Sequence, residues 1–326
     1  MSDLLNNYTL EFEKPVRDLE NQIKELQGAS LRPEIDISKE INALQTKVST
    51  LIKDIYANLS PWERVQLSRH PNRPHAIDYI SEMVEDFKEL SGDRHFANDP
   101  AVITGFGKID GKKVAIIAIE KGRKTKEKVH HNFGMPRPEG YRKALRIMET
   151  AGRFGIPIVT FIDTPGAYPG IGAEERGQAS AIAENLAAMF DIKAPIISVV
   201  IGEGGSGGAL GIAIADKVMM MEYSIYSVIS PESCASILWA DPKKAEDAAN
   251  SLKLVPSKAL ELEVVDSIIE EPIGGAHKNK AAAFETVKKS ISKELKTLSK
   301  VSTDKLLEQR FEKFRKMGNQ TITQVQ

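Results

Sequence analysis

Two runs of the chain are apolar at nearly every position and then stop abruptly in glycine. Residues 156–162 (IPIVTFI) lead into DTPGAYPG, and residues 194–202 (APIISVVIG) lead into EGGSGG. A strand with no polar alternation must be covered on both faces, which is the condition of a parallel sheet carrying helices on each side. The flanking segments supply those helices. GYRKALRIMETAGRF is amphipathic and stops at Gly155, and ERGQASAIAENLAAMF follows the first glycine turn. ALGIAIADKV reads as helical and VMMMEY as extended. The chain is therefore predicted to be α/β, with a mostly parallel sheet.

The stretch before this alternation is of another kind. Val16, Leu19, Ile23 and Leu26 recur at steps of three and four, as do Ile41, Leu44, Val48, Leu51 and Ile55. Each set lays an apolar stripe along one side of a helix. The intervening QGASLRPEIDI has the Gly and Pro of a connection, so the region reads as an antiparallel helical hairpin. Ser60-Pro61-Trp62-Glu63 is a helix start with a hydroxyl cap, proline in the first turn and Glu63 three residues after the cap. HPNRPH then breaks the chain, and Ile77, Ile80, Val84 and Phe87 suggest a further helix. Ser91-Gly92-Asp93 opens a β region, in which VITGFGKI and KKVAIIAIE flank the hairpin signal Asp110-Gly111. From about Asn279 the tail is charged and helical. The expected domains are an arm, residues 1–59, and a body with its helical tail, residues 60–326.

Composition narrows the functions. With 44 Lys+Arg against 45 Asp+Glu the net charge is −1, which lacks the basic excess of a nucleic-acid binder. The single cysteine, Cys234, excludes an internal disulfide and a cysteine-based zinc site. The N-terminus has no signal-peptide pattern, and no apolar run has the roughly 20 residues that span a bilayer. The expectation is a cytoplasmic protein without nucleic-acid or membrane partners and without a metal of its own.

Ligands in α/β sheets bind beyond the carboxyl ends of strands, so the two glycine turns are the places to look. Three familiar chemistries fit poorly. Asp163-Thr164-Pro165-Gly166 at a strand end suggests a GTPase, but no G-x-x-x-x-G-K-S/T loop exists to cradle a phosphate. Gly204-Gly205-Ser206-Gly207-Gly208 matches the nucleophile elbow of a serine hydrolase, with His277 downstream, yet no HGGG-type oxyanion loop accompanies it. Ser206 is alternatively a helix N-cap. The spacing also departs from the G-x-G-x-x-G of dinucleotide sites. What glycines do achieve at a strand-to-helix turn is close backbone approach, with N–H groups aimed at a ligand from the positive end of a helix. That is an oxyanion hole, suited to a reaction in which charge develops on an oxygen.

Five strings then carry a resemblance: KGRKTKEKVHHNFGMPRPEGYRKALR, FIDTPGAYPGIGAEERGQ, VIGEGGSGGAL, YSVISPESCASILW and DSIIEEPIGGAH. In order and content they closely resemble the carboxyltransferase α subunits of bacterial and plastid acetyl-CoA carboxylase, from about residue 10 to 310. Ser233 stands where that family usually has Gly or Ala. The resemblance implies a crotonase-type (ββα spiral) fold with an N-terminal helical hairpin arm and C-terminal helices. It implies a biotin-dependent carboxyltransferase that moves a carboxyl group from carboxybiotin, borne on the biotin carboxyl carrier protein, to acetyl-CoA. The product would be malonyl-CoA, in the committed step of fatty acid biosynthesis. A separate β subunit, similar in fold and carrying a zinc ribbon, would complete the active site in an α2β2 assembly, with biotin carboxylase in the larger complex.

Carried onto this chain, the resemblance implies that the backbone N–H groups of Gly204 and Gly205 form the oxyanion hole. Gly166, Ala167, Tyr168, Gly170, Gly207 and Gly208 would line the biotin pocket. Lys121, Arg123, Lys124, Lys126 and Lys128 are candidate contacts for CoA phosphates or an acidic partner surface. Glu174 and Glu175 fit a helix start better than acid–base work. His130 and His131, adjacent in sequence, are poor joint ligands, and Cys234 fits a small core residue.

Overall fold

The computed structural model describes residues 8–29 and 38–318. Two helices, α1 (Lys14–Ala29) and α2 (Ser38–Ala57), form the arm, followed by α3 (Pro61–Ser68) and α4 (Ala76–Met83). Strands β1 (Glu85–Glu89), β2 (Val102–Ile109) and β3 (Lys112–Ile119) come next, then α5 (Thr125–His130), α6 (Pro138–Arg153), β4 (Ile158–Thr164), α7 (Ile171–Glu175) and α8 (Gln178–Asp191). The second half holds β5 (Ile196–Gly205), α9 (Ser206–Leu210), β6 (Lys217–Met221), β7 (Ile225–Ser227), α10 (Pro231–Trp239), α11 (Ala245–Ser251), α12 (Pro256–Glu261) and β8 (Ser267–Ile269). Helices α13 (Lys280–Leu298) and α14 (Thr303–Lys316) end the described chain.

The sheet runs β1-β2-β3-β4-β5-β6-β8, with β7 beside β5. The β2–β3 hairpin turns at Asp110-Gly111, and its antiparallel register runs from Val102↔Ile119 to Ile109↔Lys112. From β3 onward every pairing is parallel. β5 divides its length: residues 197–200 pair with β6, whereas Glu203, Gly204 and Gly205 pair with β7. Both faces of the parallel strands are buried, which accounts for their unbroken apolar sequence. Ile116, Val159, Phe161, Ile197 and Val199 pack under α4 and α13, through Tyr79, Met83, Val287 and Ile291. Ile117, Ile158, Ile162, Ile196 and Val200 pack under α6 and α8, through Ala144, Ile147, Met148 and Met189.

In the arm, Val16, Ile23 and Val48 are buried against Leu19, Ile41, Leu44, Leu51 and Ile55, so the two predicted stripes face each other. The pairing is antiparallel: Tyr56 at the end of α2 donates to Glu13, just before α1, at 2.7 Å. The connection read in QGASLRPEIDI lies largely outside the described residues. The Ser60 cap is present as predicted, with Glu63 N–H donating to Ser60 Oγ at 3.2 Å and Ser60 N–H donating to Glu63 at 2.7 Å.

Four local readings change. The apolar face of α4 is Ala76, Tyr79, Ile80 and Met83, one position off the predicted stripe; Ile77 points outward and Phe87 belongs to β1, which begins before Ser91. The helix after the first glycine turn breaks at Gly177, whose φ of 80° is left-handed. α9 stops at Leu210 instead of continuing through ALGIAIADKV, because β6 must begin at Lys217 to pair with β5. Ser206 is the first residue of α9, at φ 49°, and Gly205 holds the cap position.

The tail is anchored by Arg310, which is buried in α14. It donates to both carboxylate oxygens of Asp216 and to the carbonyls of Met189, Ile192 and Ala194, at 2.7–2.9 Å.

Candidate functional site

Parallel strands β4 and β5 end side by side, Thr164 facing Gly204 in register, so the two glycine turns meet at one end of the sheet. They meet without a gap. A Cβ on Gly205 would stand 2.3 Å from the Pro165 oxygen, and one on Gly208 would stand 2.3 Å from the carbonyl carbon of Gly166. Gly204 likewise has Tyr226 of β7 against it, 2.7 Å from its would-be Cβ. Gly205 and Gly208 are thus required by packing between the turns, and Gly204 by packing against β7. Gly207 and Gly166 are different: beyond Gly207 the first neighbour is Ile182 at 3.7 Å, and beyond Gly166 nothing lies within 4 Å. Gly166 faces open space, and Gly207 has only an ordinary contact before it.

Gly204 pairs with Tyr226 inside the sheet, whereas Ser206, Gly207 and Gly208 make the first turn of α9. A helix leaves the N–H groups of its first turn without intrahelical acceptors, and no side chain caps α9. The donors that α9 leaves without such acceptors therefore begin at Ser206, beyond the Gly204–Gly205 pair. In the first turn, Gly166 N–H donates to Thr164 Oγ1 at 3.0 Å, and Tyr168 N–H donates to the Pro136 carbonyl at 3.0 Å. Tyr168 folds over Gly170 and stacks under Arg137, whose guanidinium carbon is 4.6 Å from the ring centre. Tyr168, Gly170 and Ala167 are all partly open.

Beneath the turns lies a buried charge network that the sequence reading missed. Lys121 Nζ sits 2.8 Å from Asp163, at the end of β4, and 3.0 Å from Glu203, within the second turn. Asp163 also accepts the N–H of Glu203 at 2.9 Å. Arg69, from α3's end, grips Glu203 and Glu232 of α10, each at 2.6 Å. Burial opposes the charge on Glu203, but Lys121 and Arg69 outweigh it and hold the carboxyl down at about 2. Lys121 is held charged in the same way, Asp163 and Glu203 more than offsetting its burial. The signal was there: Asp163 and Glu203 are the acidic residues that end two apolar strands.

The basic residues separate. Lys121 is committed to the network, Arg123 pairs with Asp78 at 2.6 Å, and Lys124 and Lys126 face solvent. Lys128 reaches the rim of a cavity of about 220 Å³, which Arg69, Lys121, Asp163, Pro165 and Glu203 also line. Phe133, not singled out from sequence, stands at the same rim.

Away from the turns, Glu13 of the arm meets His277 at 3.4 Å, and His277 stacks on His70 with ring centres 4.0 Å apart. This set does not suit a metal: Asn72 N–H donates to His70 Nδ1 at 3.1 Å, which leaves the imidazole proton on Nε2. It also occupies the one histidine that a Ser206 triad would need.

The comparisons decide the family. Residues 9–318 match the profile described as acetyl co-enzyme A carboxylase carboxyltransferase-like. The acetyl-coenzyme A carboxylase carboxyl transferase subunit alpha of Xanthomonas campestris pv. campestris (strain B100) is 53% identical over 314 residues, covering 96% of this chain and 98% of that protein. The chain belongs to this family of α subunits. The corresponding protein of Hydrogenovibrio crunogenus is also 53% identical, over 310 residues, 95% of this chain and 97% of that one. Among solved structures, transcarboxylase 12S with hydrolysed methylmalonyl-coenzyme A bound aligns with a TM-score of 0.58 at 21% identity, over 70% of this chain. The chain spans 43% of the length of that transcarboxylase. The β subunit of Pseudomonas aeruginosa geranyl-CoA carboxylase aligns at 0.55 and 13% identity, over 76% of this chain and 46% of that one. The fold is crotonase-type, as the resemblance implied. No helix among the described residues is long and apolar enough to cross a membrane.

Proposed function

We propose that this α subunit supplies the carboxyl-donor half of a site that moves a carboxyl group from carboxybiotin to acetyl-CoA. The carboxybiotin is carried by the biotin carboxyl carrier protein, loaded by biotin carboxylase. The N–CO2 bond of carboxybiotin breaks, and its electron pair is left on the ureido group. That group takes a proton from the acetyl methyl, and the resulting carbanion adds to the released CO2, forming the new C–C bond of malonyl-CoA. Backbone N–H groups at the second glycine turn, from Gly204–Gly205 into the first turn of α9, stabilise the charge on the ureido oxygen. Gly166, Ala167, Tyr168, Gly170, Gly207 and Gly208 wall the ring. The observation that carries this is the fusion of two glycine turns at adjacent parallel strand ends, with Gly166 facing open space and Gly207 uncrowded.

A β subunit completes the site, in an α2β2 assembly, and brings the acyl-CoA and the zinc. Support comes from the apolar residues that flank the turns: Ile171, Val228, Ile237 and Leu238 are 64–78% exposed. They follow the first turn, follow β7, and lie on α10, whose Glu232 is tied through Arg69 to Glu203. Large apolar side chains left this exposed fit a surface that a partner covers. Residues 1–59 act as the arm and 60–326 as the carboxyltransferase body, in the cytoplasm. The test is sedimentation and biotin-dependent malonyl-CoA decarboxylation by the α chain, alone and with its β partner. Activity confined to the mixture supports the reading; full activity from α alone rejects the shared site.

A further inference from the structure

The segment linking α5 to α6 holds a conformation that side chains resist. Asn132, Phe133 and Gly134 follow one another at φ 50°, 57° and 76°, all left-handed. Glycine takes this region freely, but a residue with a Cβ is strained there. The segment is held from every side. Asn132 donates to Asp99 at 3.0 Å, His131 Nδ1 lies 2.6 Å from the Pro100 carbonyl, and Arg137 N–H donates to Asp99 at 2.7 Å. Gly134 is pressed so close to Lys121 that a Cβ there would come within 2.5 Å of Lys121 Cγ. Two residues on, the Pro136 carbonyl receives both Tyr168 N–H and the Gln178 amide, joining the segment to the first glycine turn.

All this anchoring leaves the Phe133 ring half exposed between two buried neighbours, Asn132 and Gly134. A large aromatic in a strained, externally fixed backbone is what a binding surface looks like, since strain of this kind persists where the surroundings over-determine it. The ring stands at the mouth of the cavity whose wall includes Pro165, the residue packed on Gly205. From this geometry we infer that Phe133 is a contact for the ring system of the carboxyl donor, biotin. This rests on the carboxyl-transfer reading. The Phe133 face supplies an apolar surface for the bicyclic ring, beside the polar cavity.

The test uses the assembled α and β chains with biocytin as probe. Binding of biocytin is measured by calorimetry, and biocytin-dependent malonyl-CoA decarboxylation is measured in parallel. Phe133→Ala and Phe133→Gly should each raise the Kd for biocytin about tenfold. Phe133→Tyr should restore it, while the KM for malonyl-CoA and the sedimentation of the complex stay unchanged. Phe133→Gly should melt no lower than the parent, because glycine relieves the strain. An unchanged Kd in both variants overturns the inference. So does a rise in the malonyl-CoA KM instead, or loss of the complex, either of which makes Phe133 a CoA or subunit contact. Absence of decarboxylation in the assembled parent strikes the carboxyl-transfer reading itself.

Discussion

Gly208 is pressed against Gly166, the would-be Cβ of the first 2.3 Å from the carbonyl carbon of the second, so the two glycine turns are held as one body. Gly208→Ala must therefore push the turns apart. Overpacking of this sort costs about 1–3 kcal/mol, and decarboxylation should fall together with Tm. Gly207→Ala has room, with Ile182 at 3.7 Å. It should leave Tm within a degree or two while lowering turnover through bulk placed in the proposed donor pocket. Equal effects of the two substitutions on Tm would contradict this division.

Lys121 is bonded to both strand-end acids, Asp163 and Glu203, at 2.8 and 3.0 Å. Lys121→Met leaves two buried carboxylates facing each other with one cation fewer. Removing one partner of a buried pair costs about 3–5 kcal/mol. Urea unfolding should show that loss, and Lys121→Arg should recover part of it. A Lys121→Met variant as stable as the parent would refute the role given to the network.

Acid should weaken the fold in two stages. Burial pushes His70 from its ordinary 6.5 down to about 3, so the folded chain refuses a proton that the unfolded chain accepts. Its contribution is complete above pH 6.5 and shrinks below it, at about 1.4 kcal/mol per pH unit. Glu203 and Glu13 are both held near 2 against an ordinary 4.5, so their contributions are complete above pH 4.5 and drain away between 4.5 and 2. Glu13 reaches that value despite its burial, through His277, the Leu10 N–H and Tyr56. His70→Phe should flatten the stability profile from pH 6.5 to 4.5 and leave the steeper loss below it. A parental profile flat from pH 7 to 4.5 would be the contrary result.

Ser206 tests the hydrolase alternative. Its left-handed φ of 49° is the strained posture of a nucleophile elbow, yet His277 is engaged with Glu13 and His70. Ser206→Ala should keep carboxyl transfer within a few-fold, and a fluorophosphonate should not label the parent. Labelling at Ser206 would count against an oxyanion hole built of backbone alone.

The fold was legible where one face decided the pattern. The arm stripes, the Asp110-Gly111 hairpin and the paired apolar strands all appear as read. The errors fall where tertiary pairing overrides local propensity. β6 claims Lys217 from a run that looks helical, and Phe87 is drawn into an edge strand against Gly105 and Gly107. At the site, the glycine turns were visible as glycine but their reasons were not: Gly205 and Gly208 answer to packing, which needs a partner 40 residues away in sequence. The strand-end acids Asp163 and Glu203 were visible in the sequence, but their shared bond to Lys121 was not, for the same cause. Phe133 was hidden because exposure and a left-handed φ leave no mark on composition or periodicity.

The most direct test follows the carboxyl carbon itself. Carrier protein bearing 14C-carboxybiotin is mixed with acetyl-CoA and the α chain, the β chain, or both, and malonyl-CoA is isolated and counted. Label should appear in malonyl-CoA only when both chains are present. Transfer by the β chain alone at the rate of the mixture, or none from a complex shown to be assembled, would contradict it.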